Sequence, residues 1–320
     1  MSIVKGPLFS LDADGTIGKS LSYSKKSQNN IVSKYSKPGD VSPGESSPRQ
    51  KDQRSIIRLI TIHWQCMDDI DRLTWETAAK AARFKGSGYH YFLHIAQTDL
   101  LTYLGLAGYW SMNYETSGVI PDLSGNGNHA FLSPIYPCDC PSLVDSFDKK
   151  YGKSLYNNGS GRYSYIKRNP IFELQTLTIS FCFKAPPNIP TYSTLGINKY
   201  YSSSWASFDC NSGSSVNANA KTYIYTSAGA KTIYLLNILD NKWHNLTFSF
   251  NGSFFTAYID GSLYDSIPYA GNVLYNANNL YIGSYKLGSY SHGFIDEALI
   301  YNTALDPKEI LKIYQSYNLS

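Results

Sequence analysis

The stretch Trp243-His244-Asn245-Leu246-Thr247-Phe248-Ser249-Phe250, then Asn251-Gly252, then Phe254-Phe255-Thr256-Ala257-Tyr258-Ile259 and Asp260-Gly261, decides how this chain folds. From Leu246 to Phe250 large apolar and small polar side chains alternate, the period of a strand with one buried face. Asn-Gly and Asp-Gly supply the positive φ of two-residue hairpin turns. Three consecutive antiparallel strands are therefore predicted. Residues 177–183 (LTISFCF) repeat the alternation, and Tyr-, Ile-, Thr- and Phe-rich runs recur at 162–167, 222–225, 232–236, 279–282 and 293–301 between Gly, Asn, Ser and Pro clusters. Short strands at regular spacing mean an antiparallel β-sandwich. Only residues 306–317 return to helical spacing, with Asp306 as N-cap and Pro307 at the first position.

Upstream of about residue 105 the pattern differs. Ile56, Ile57, Ile60, Trp64 and Met67 recur at three- and four-residue steps and predict a helix with one buried stripe. Asp68, Asp69 and Asp71 offer N-cap chemistry to a short helix over 72–84, and residues 89–104 read as a third helix. Residues 15–23 and 31–35 alternate around Ser27-Gln28-Asn29-Asn30, which suggests a two-stranded ribbon, and residues 37–48 (KPGDVSPGESSP) have linker composition. The expected organisation is an extended basic arm over 1–52, a small helical anchoring segment over 53–104 and a β-sandwich over 105–320.

Composition narrows the class. At 320 residues, 42% hydrophobic and 16% charged, the chain has enough apolar side chains for a packed core. Its first 100 residues hold 14 Lys+Arg against 10 Asp+Glu, and the remainder holds 14 of each, so the whole formal charge of +4 sits in the first third. A protein that tracks phosphates needs that excess where it binds, so no specific nucleic-acid partner is expected. No apolar run approaches the ~18 residues of a spanning helix, and residues 1–18 lack the pattern of a secretory signal. Cys66, Cys138, Cys140, Cys182 and Cys210 are odd in number and scattered, and read as mostly unpaired thiols; Cys138-Asp139-Cys140 lacks the second half of a zinc site.

Tyr109-Trp110-Ser111-Met112, the turn from Asp122 to His129 (DLSGNGNH), Trp243-His244-Asn245, Tyr258 to Gly261, Tyr281-Ile282-Gly283 and Gly293 to Ala298 (GFIDEA) through Ala304-Leu305-Asp306 occur in that order. Together they resemble the laminin-G-like subgroup of the concanavalin A-like jelly rolls. The resemblance implies two antiparallel sheets of about six or seven strands each and an edge Ca²⁺ site, with Asp122, Asn126 and Asp296 as candidate ligands; hard oxygen donors of this kind suit calcium. The residues alone also allow Asp122 and Asp296 simply to cap turns. The N-terminal part, from Gly6 to Lys19 through the basic ribbon, residues 64–75 and Gly88-Tyr89-His90-Tyr91-Phe92, resembles a module at the start of structural proteins in tailed bacteriophages and prophages. This second resemblance implies a virion protein that is oligomeric and meets other virion structural proteins through residues 1–104, with the β domain displayed.

Two functions follow. One is a virion structural protein, associated with capsid or tail, that decorates the particle or adheres to a host surface glycan. The other is a free cell-surface or secreted carbohydrate-binding protein or glycosidase. Hydrolysis needs a spaced pair of carboxyl groups, and Asp296-Glu297, the adjacent acidic pair, would face opposite ways in a regular strand. None of the six His is arranged as HExxH, and no Ser elbow or phosphate loop occurs. A non-enzymatic binding protein is expected. Aromatic rings stack on sugars while polar groups bond hydroxyls. The Tyr/Ser-rich segments 200–205 and 285–292 are the expected loop rims, with Tyr200, Tyr201, Trp205, Tyr285 and Tyr290 as glycan-binding candidates. Against this, 24 of the 28 Tyr lie beyond residue 100, where Tyr also serves simply as a strand residue.

Overall fold

In the computed structural model the chain forms two compact units, Met1–Ser46 and Ser47–Ser320. The structure describes residues 2–3, 15–17, 21–26, 29–34, 47–132, 142–146, 152–158, 163–187, 189–190, 193–200, 206–215, 218–283 and 292–319. In the first unit β1 (Ser2–Ile3), β2 (Gly15–Ile17), β3 (Leu21–Lys26) and β4 (Asn29–Lys34) form one antiparallel sheet in the order β1-β4-β3-β2. The turn expected at 27–30 joins the inner pair, in register from Leu21↔Lys34 to Lys26↔Asn29, but the stretch 15–23 read as one strand holds two, β2 and the start of β3, which pair with each other.

The second unit opens with α1 (Pro48–Cys66), which begins inside the stretch read as linker. Ser47 and Gln50 form a reciprocal capping box (Gln50 N to Ser47 Oγ, 3.3 Å; Ser47 N to Gln50 Oε1, 2.9 Å) with Pro48 at the first position, a start signal hidden among Pro, Gly and Ser. Asp68 caps α2 (Asp69–Ala81), which starts earlier than expected. The single helix expected over 89–104 is two, α3 (Gly88–Ala96) and α4 (Leu100–Leu104). Asp99 interrupts them by accepting the backbone N–H of Thr102 at 3.0 Å.

Sixteen strands and a last helix follow: β5 (Leu106–Trp110), β6 (Val119–Ile120), β7 (Ala130–Leu132), β8 (Ser142–Asp145), β9 (Lys153–Asn158), β10 (Tyr163–Ile166), β11 (Leu177–Lys184) and β12 (Ile197–Tyr200). Then come β13 (Ala206–Ser215), β14 (Ala218–Thr226), β15 (Gly229–Leu235), β16 (Trp243–Phe250), β17 (Phe254–Ile259), β18 (Ser262–Pro268), β19 (Leu280–Gly283), β20 (His292–Tyr301) and α5 (Pro307–Tyr317). Among the described residues they form an antiparallel sandwich of two eight-stranded sheets, slightly larger than expected. One runs β15-β14-β13-β12-β19-β10-β7-β6; the other runs β18-β17-β16-β11-β20-β9-β8, with β5 also on β20. Between them lies an apolar core that includes Trp110, Ile166, Phe181, Ile197, Phe248 and Ile282, all at most 1% exposed. The hairpins are as read, except at Asn251-Gly252. There Phe250 pairs with Phe255, so the loop is wider than two residues, and Asn251 Oδ1 takes the N–H groups of Ser253 and Phe254.

A second core explains why residues 53–104 are no separate segment. Leu59 and Ile60 of α1, Phe92 of α3 and Ile310 and Ile313 of α5 pack on Tyr109, Cys182, Tyr258, Leu299 and Tyr301. Those five residues are the outer face of the β11/β20 sheet, which is therefore a covered sheet. The boundary falls after residue 46, not at 105, because the helices α1 to α4 cannot bury their apolar faces without that sheet. Among the described residues no helix is long and apolar enough to cross a membrane.

Candidate functional site

The other sheet carries no helical layer among the described residues, and its outward positions are aromatic. Ala130, Ile166, Leu280 and Ile282 point into the core, so Phe131, Tyr165 and Tyr281 point out. Val119, Phe131, Tyr165, Tyr281 and Asn198 stand side by side across β6, β7, β10, β19 and β12. Phe131 stacks with Tyr165 at 5.5 Å between centroids, Tyr163 meets Tyr281 edge-on at 5.8 Å, and Lys167 Nζ lies 5.1 Å from the Phe131 ring centre. Phe131, Tyr163 and Tyr165 are partly exposed, and Tyr281 forms the floor between them. Farther along the face Tyr223 and Tyr225 alternate with buried Thr222 and Ile224. Asn198 is fully buried; its Nδ2 donates to Gly283 O at 3.1 Å, and its Oδ1 has no partner. The outer face of an antiparallel sheet needs only polar residues for folding. Rings fixed there offer flat apolar area beside polar groups, the chemistry of a carbohydrate platform.

Tyr163, Tyr165, Tyr223, Tyr225 and Tyr281 were legible as strand but not as site, and Phe131 and Asn198 lie outside the runs read as strands. Tyr163-Ser164-Tyr165-Ile166 puts a Tyr at both outward positions while Ser164 turns inward and donates to Ile282 O at 3.0 Å. Tyr at the polar positions of an alternating strand was the available signal. The glycan-binding candidates Tyr201, Trp205, Tyr285 and Tyr290 lie outside the described residues, as does the Tyr200 side chain. The strands leading to them, β12 and β19, are antiparallel, so Tyr200 and Gly283 end at opposite ends of the pair.

Asp122 and Asn126 share one turn. Asp122 Oδ1 accepts the backbone N–H of Tyr109 (3.1 Å) and Ser124 (2.9 Å), and Oδ2 accepts that of Asn128 (2.9 Å). Asn126 turns its NH₂ to the carbonyls of Leu106 and Ala107 at 3.2 and 3.1 Å. Asp296 lies in β20, where Oδ2 accepts from Ser146 Oγ and Oδ1 accepts from Glu297 N at 2.8 Å. A calcium ion takes six to eight oxygen donors. With both Asp122 oxygens on N–H groups, Asn126 presenting its donor and Asp296 held elsewhere, these three do not fit one Ca²⁺ site. Among the described residues no three His, Cys, Asp or Glu side chains are grouped to hold a metal.

Asp296 and Glu297 do not face opposite ways. The β11/β20 register shifts between Ser180↔Leu299 and Cys182↔Asp296, and Glu297 takes φ +49°, so one extra residue is inserted. Ile295 and Ala298 belong to the inner core, and the bulge leaves both carboxylates on the covered face, fully buried. Glu297 Oε2 pairs with Arg58 of α1 at 2.6 Å and accepts the Tyr109 hydroxyl at 2.8 Å. Nearby, Asp52 of α1 accepts from Ser111 Oγ (2.6 Å) and Asn113 Nδ2 (2.7 Å). Burial raises the pKa of Asp52 against the pull of those two hydrogen bonds, and burial, then the charge of Glu297, raises that of Asp296 well above the carboxylate range.

Residues 158–311 match the family model of laminin G type described as the concanavalin A-like lectin/glucanases superfamily. That segment is a concanavalin A-like domain. The sandwich of the concanavalin A-like domain reaches beyond the matched residues, back to β5. Among solved structures, domain 4 of the extracellular GH43 arabinanase AbnA from Geobacillus stearothermophilus, in complex with arabinotriose, is 18% identical. It superposes with a TM-score of 0.52 over 66% of this chain and 98% of its own. The binding domain of Paraclostridial Mosquitocidal Protein 1 is also 18% identical (TM-score 0.51; 66% of this chain, 52% of its own). The binding domain of botulinum neurotoxin serotype D is 14% identical (TM-score 0.50; 67% and 51%). The chain thus spans nearly all of the arabinanase domain and about half of each toxin binding domain. At these identities the likeness is one of fold. No curated protein matches the sequence.

Proposed function

We propose that this protein binds glycans, without hydrolysing them, through the sheet that carries no helical layer among the described residues, and that it does so as a displayed component of a virion. The observation that carries the reading is the cluster of partly exposed rings Phe131, Tyr163 and Tyr165, on a sheet face that bears no helix among the described residues. Supporting it, the similarly folded arabinanase domain was solved with arabinotriose. Binding without hydrolysis is supported by Asp296 and Glu297, which lie under α1 and are committed to Ser146, Arg58 and Tyr109. The virion assignment rests on the resemblance of the N-terminal part to phage structural proteins and on the separate compactness of Met1–Ser46.

The test is retention on a glycan array by the full chain and by Tyr163→Ala and Tyr165→Ala. Both rings are partly exposed, so truncation is expected to leave the melting midpoint within about 2 °C while lowering retention by about tenfold. Retention that is unchanged in both variants would overturn the assignment of the face. Sugar release from any retained glycan would overturn the binding-only reading. For residence, peptides of this chain are expected by mass spectrometry in purified particles, and their absence counts against a virion role.

A further inference from the structure

The helices do not cover the whole of their sheet. Tyr156, Phe294, Lys184 and Trp243 stand in register across β9, β20, β11 and β16. They occupy outward positions, since Leu155, Ile295, Phe183 and Leu246 of the same strands point into the inner core. The row lies two residues beyond the Cys182↔Asp296 pair and all four side chains are partly exposed, so the helical layer stops short of it. Tyr156 and Phe294 lie 5.0 Å apart between ring centres. Phe294 and Trp243 are two strands apart, roughly 10 Å across a sheet, yet their ring centres are 6.0 Å apart. Both rings therefore lean inward across Lys184, the residue between them, whose Nζ is 5.8 Å from the Phe294 ring centre.

The positive charge of this strip is not neutralised. Among the described residues no salt bridge includes Lys184. Beside the row opens a cleft of about 460 Å³, bounded by Tyr156, Phe294, Pro186, Asn241 and Asp145. That volume is within the range of small-ligand sites. Asp145, its carboxylate, pairs with Lys153 at 3.8 Å and so adds no net charge. Rings on either side of the lysine stem restrict where its ammonium can stand and keep part of its water away. An anion therefore gains more from that ammonium than from a fully hydrated surface lysine.

We propose that this strip binds a sugar that carries a carboxylate, a hexuronic or a sialic acid, with the carboxylate on Lys184 Nζ and the sugar ring against Tyr156 and Phe294. The ammonium offers three donors and no acceptor, which selects an anion. The rings offer flat apolar area, which selects a ring to stack on them. A neutral hexose leaves the ammonium without its anion, and a small carboxylate leaves the rings unused. The proposal deepens the glycan-binding reading and rests on it for the ligand class, but it uses a different sheet, so the two fail separately.

Saturation-transfer NMR titrations on the full chain test it. Methyl glucuronide and N-acetylneuraminic acid have both features, methyl glucoside lacks the carboxylate, and acetate lacks the ring. At least one acidic sugar is expected to bind about tenfold or more tighter than methyl glucoside and than acetate. That advantage should shrink at high salt, because the contact is partly exposed. Lys184→Met keeps an unbranched stem and removes the charge, so it should bring the acidic sugar down to methyl glucoside while leaving methyl glucoside unchanged. No binding of either acidic sugar, binding no tighter than that of methyl glucoside or acetate, or a preference that survives Lys184→Met would each overturn the proposal. If Lys184→Met does not fold, Lys184→Gln takes its place with the same outcomes. A preference for the acidic sugar that survives Tyr165→Ala, alongside array retention that does not depend on Tyr163 or Tyr165, leaves this strip standing and the face of Tyr163 and Tyr165 refuted. Array retention that depends on Tyr165, with no preference for the acidic sugar, does the reverse.

Discussion

At the scale of single residues, Asp296 shows how a buried carboxyl group is held by its neighbours. Its oxygens are satisfied by Ser146 and by the N–H of Glu297, and burial raises its pKa, with the Glu297 charge second. The sign of the linkage follows. In the unfolded chain the group ionises near 3.8, while in the folded chain it keeps its proton to a higher pH. Its contribution to stability is therefore whole below pH 3.8 and is lost as pH rises from there to the folded value, at ~1.4 kcal/mol per unit of displacement. Asp296→Asn keeps the shape and cannot ionise. Its melting midpoint is expected to match the wild type near pH 4 and to exceed it at pH 8 by about 3 °C or more, read by scanning calorimetry. A midpoint lowered equally at both pH values would mean that the negative charge itself is needed. None of this was visible in Asp296-Glu297 as a dipeptide, because a bulge is a property of the pairing and leaves no mark in one strand's alternation.

Among elements, the hairpin from β16 to β18 was readable because its determinants are local: a period of two and turns a few residues apart. Ile259 pairs with Ser262, leaving Asp260 (φ +51°) and Gly261 (φ +72°) as the loop, as Asp-Gly suggests. A distant element adds a constraint the sequence did not show. A Cβ at Gly261 would lie 2.9 Å from Tyr314 Cβ on α5. Gly261→Ala is expected to cost about 1–3 kcal/mol by urea denaturation, from the left-handed backbone and the contact together. The double variant Gly261→Ala/Tyr314→Ala should lose less than the two single effects added. Strict additivity would confine the effect to the turn. Helix α1 was misread at its start for the opposite reason. Ser47-Pro48-Arg49-Gln50 is a local signal, but it is embedded in a composition that reads as linker. Of its buried residues, Asp52, Ser55, Leu59, Ile60 and Ile62, the first two are polar because the start of the helix lies against Ser111 and Asn113. The apolar stripe Ile56, Ile60, Trp64 and Met67 located the helix but not this polar beginning.

For the whole molecule, the charge asymmetry marked the basic third correctly but not the structural boundary, since charge does not report which faces are buried together. The helices and the sandwich share a core, and a chain starting at residue 105 would uncover Tyr109, Cys182, Leu299 and Tyr301. Residues 105–320 alone are expected to be aggregation-prone or largely unfolded, whereas 47–320 should unfold in one cooperative transition. Comparing the two by circular dichroism and light scattering decides this, and a soluble, fully folded 105–320 would refute the shared core. The one-sided helical cover also sorts the protein's freedom to vary. On the covered face a change must be matched by a change in α1, α3 or α5. On the open face the partly exposed rings of Phe131, Tyr163 and Tyr165 can be exchanged at little cost to the fold. Lineages of this protein can therefore vary that face while inheriting an unchanged scaffold.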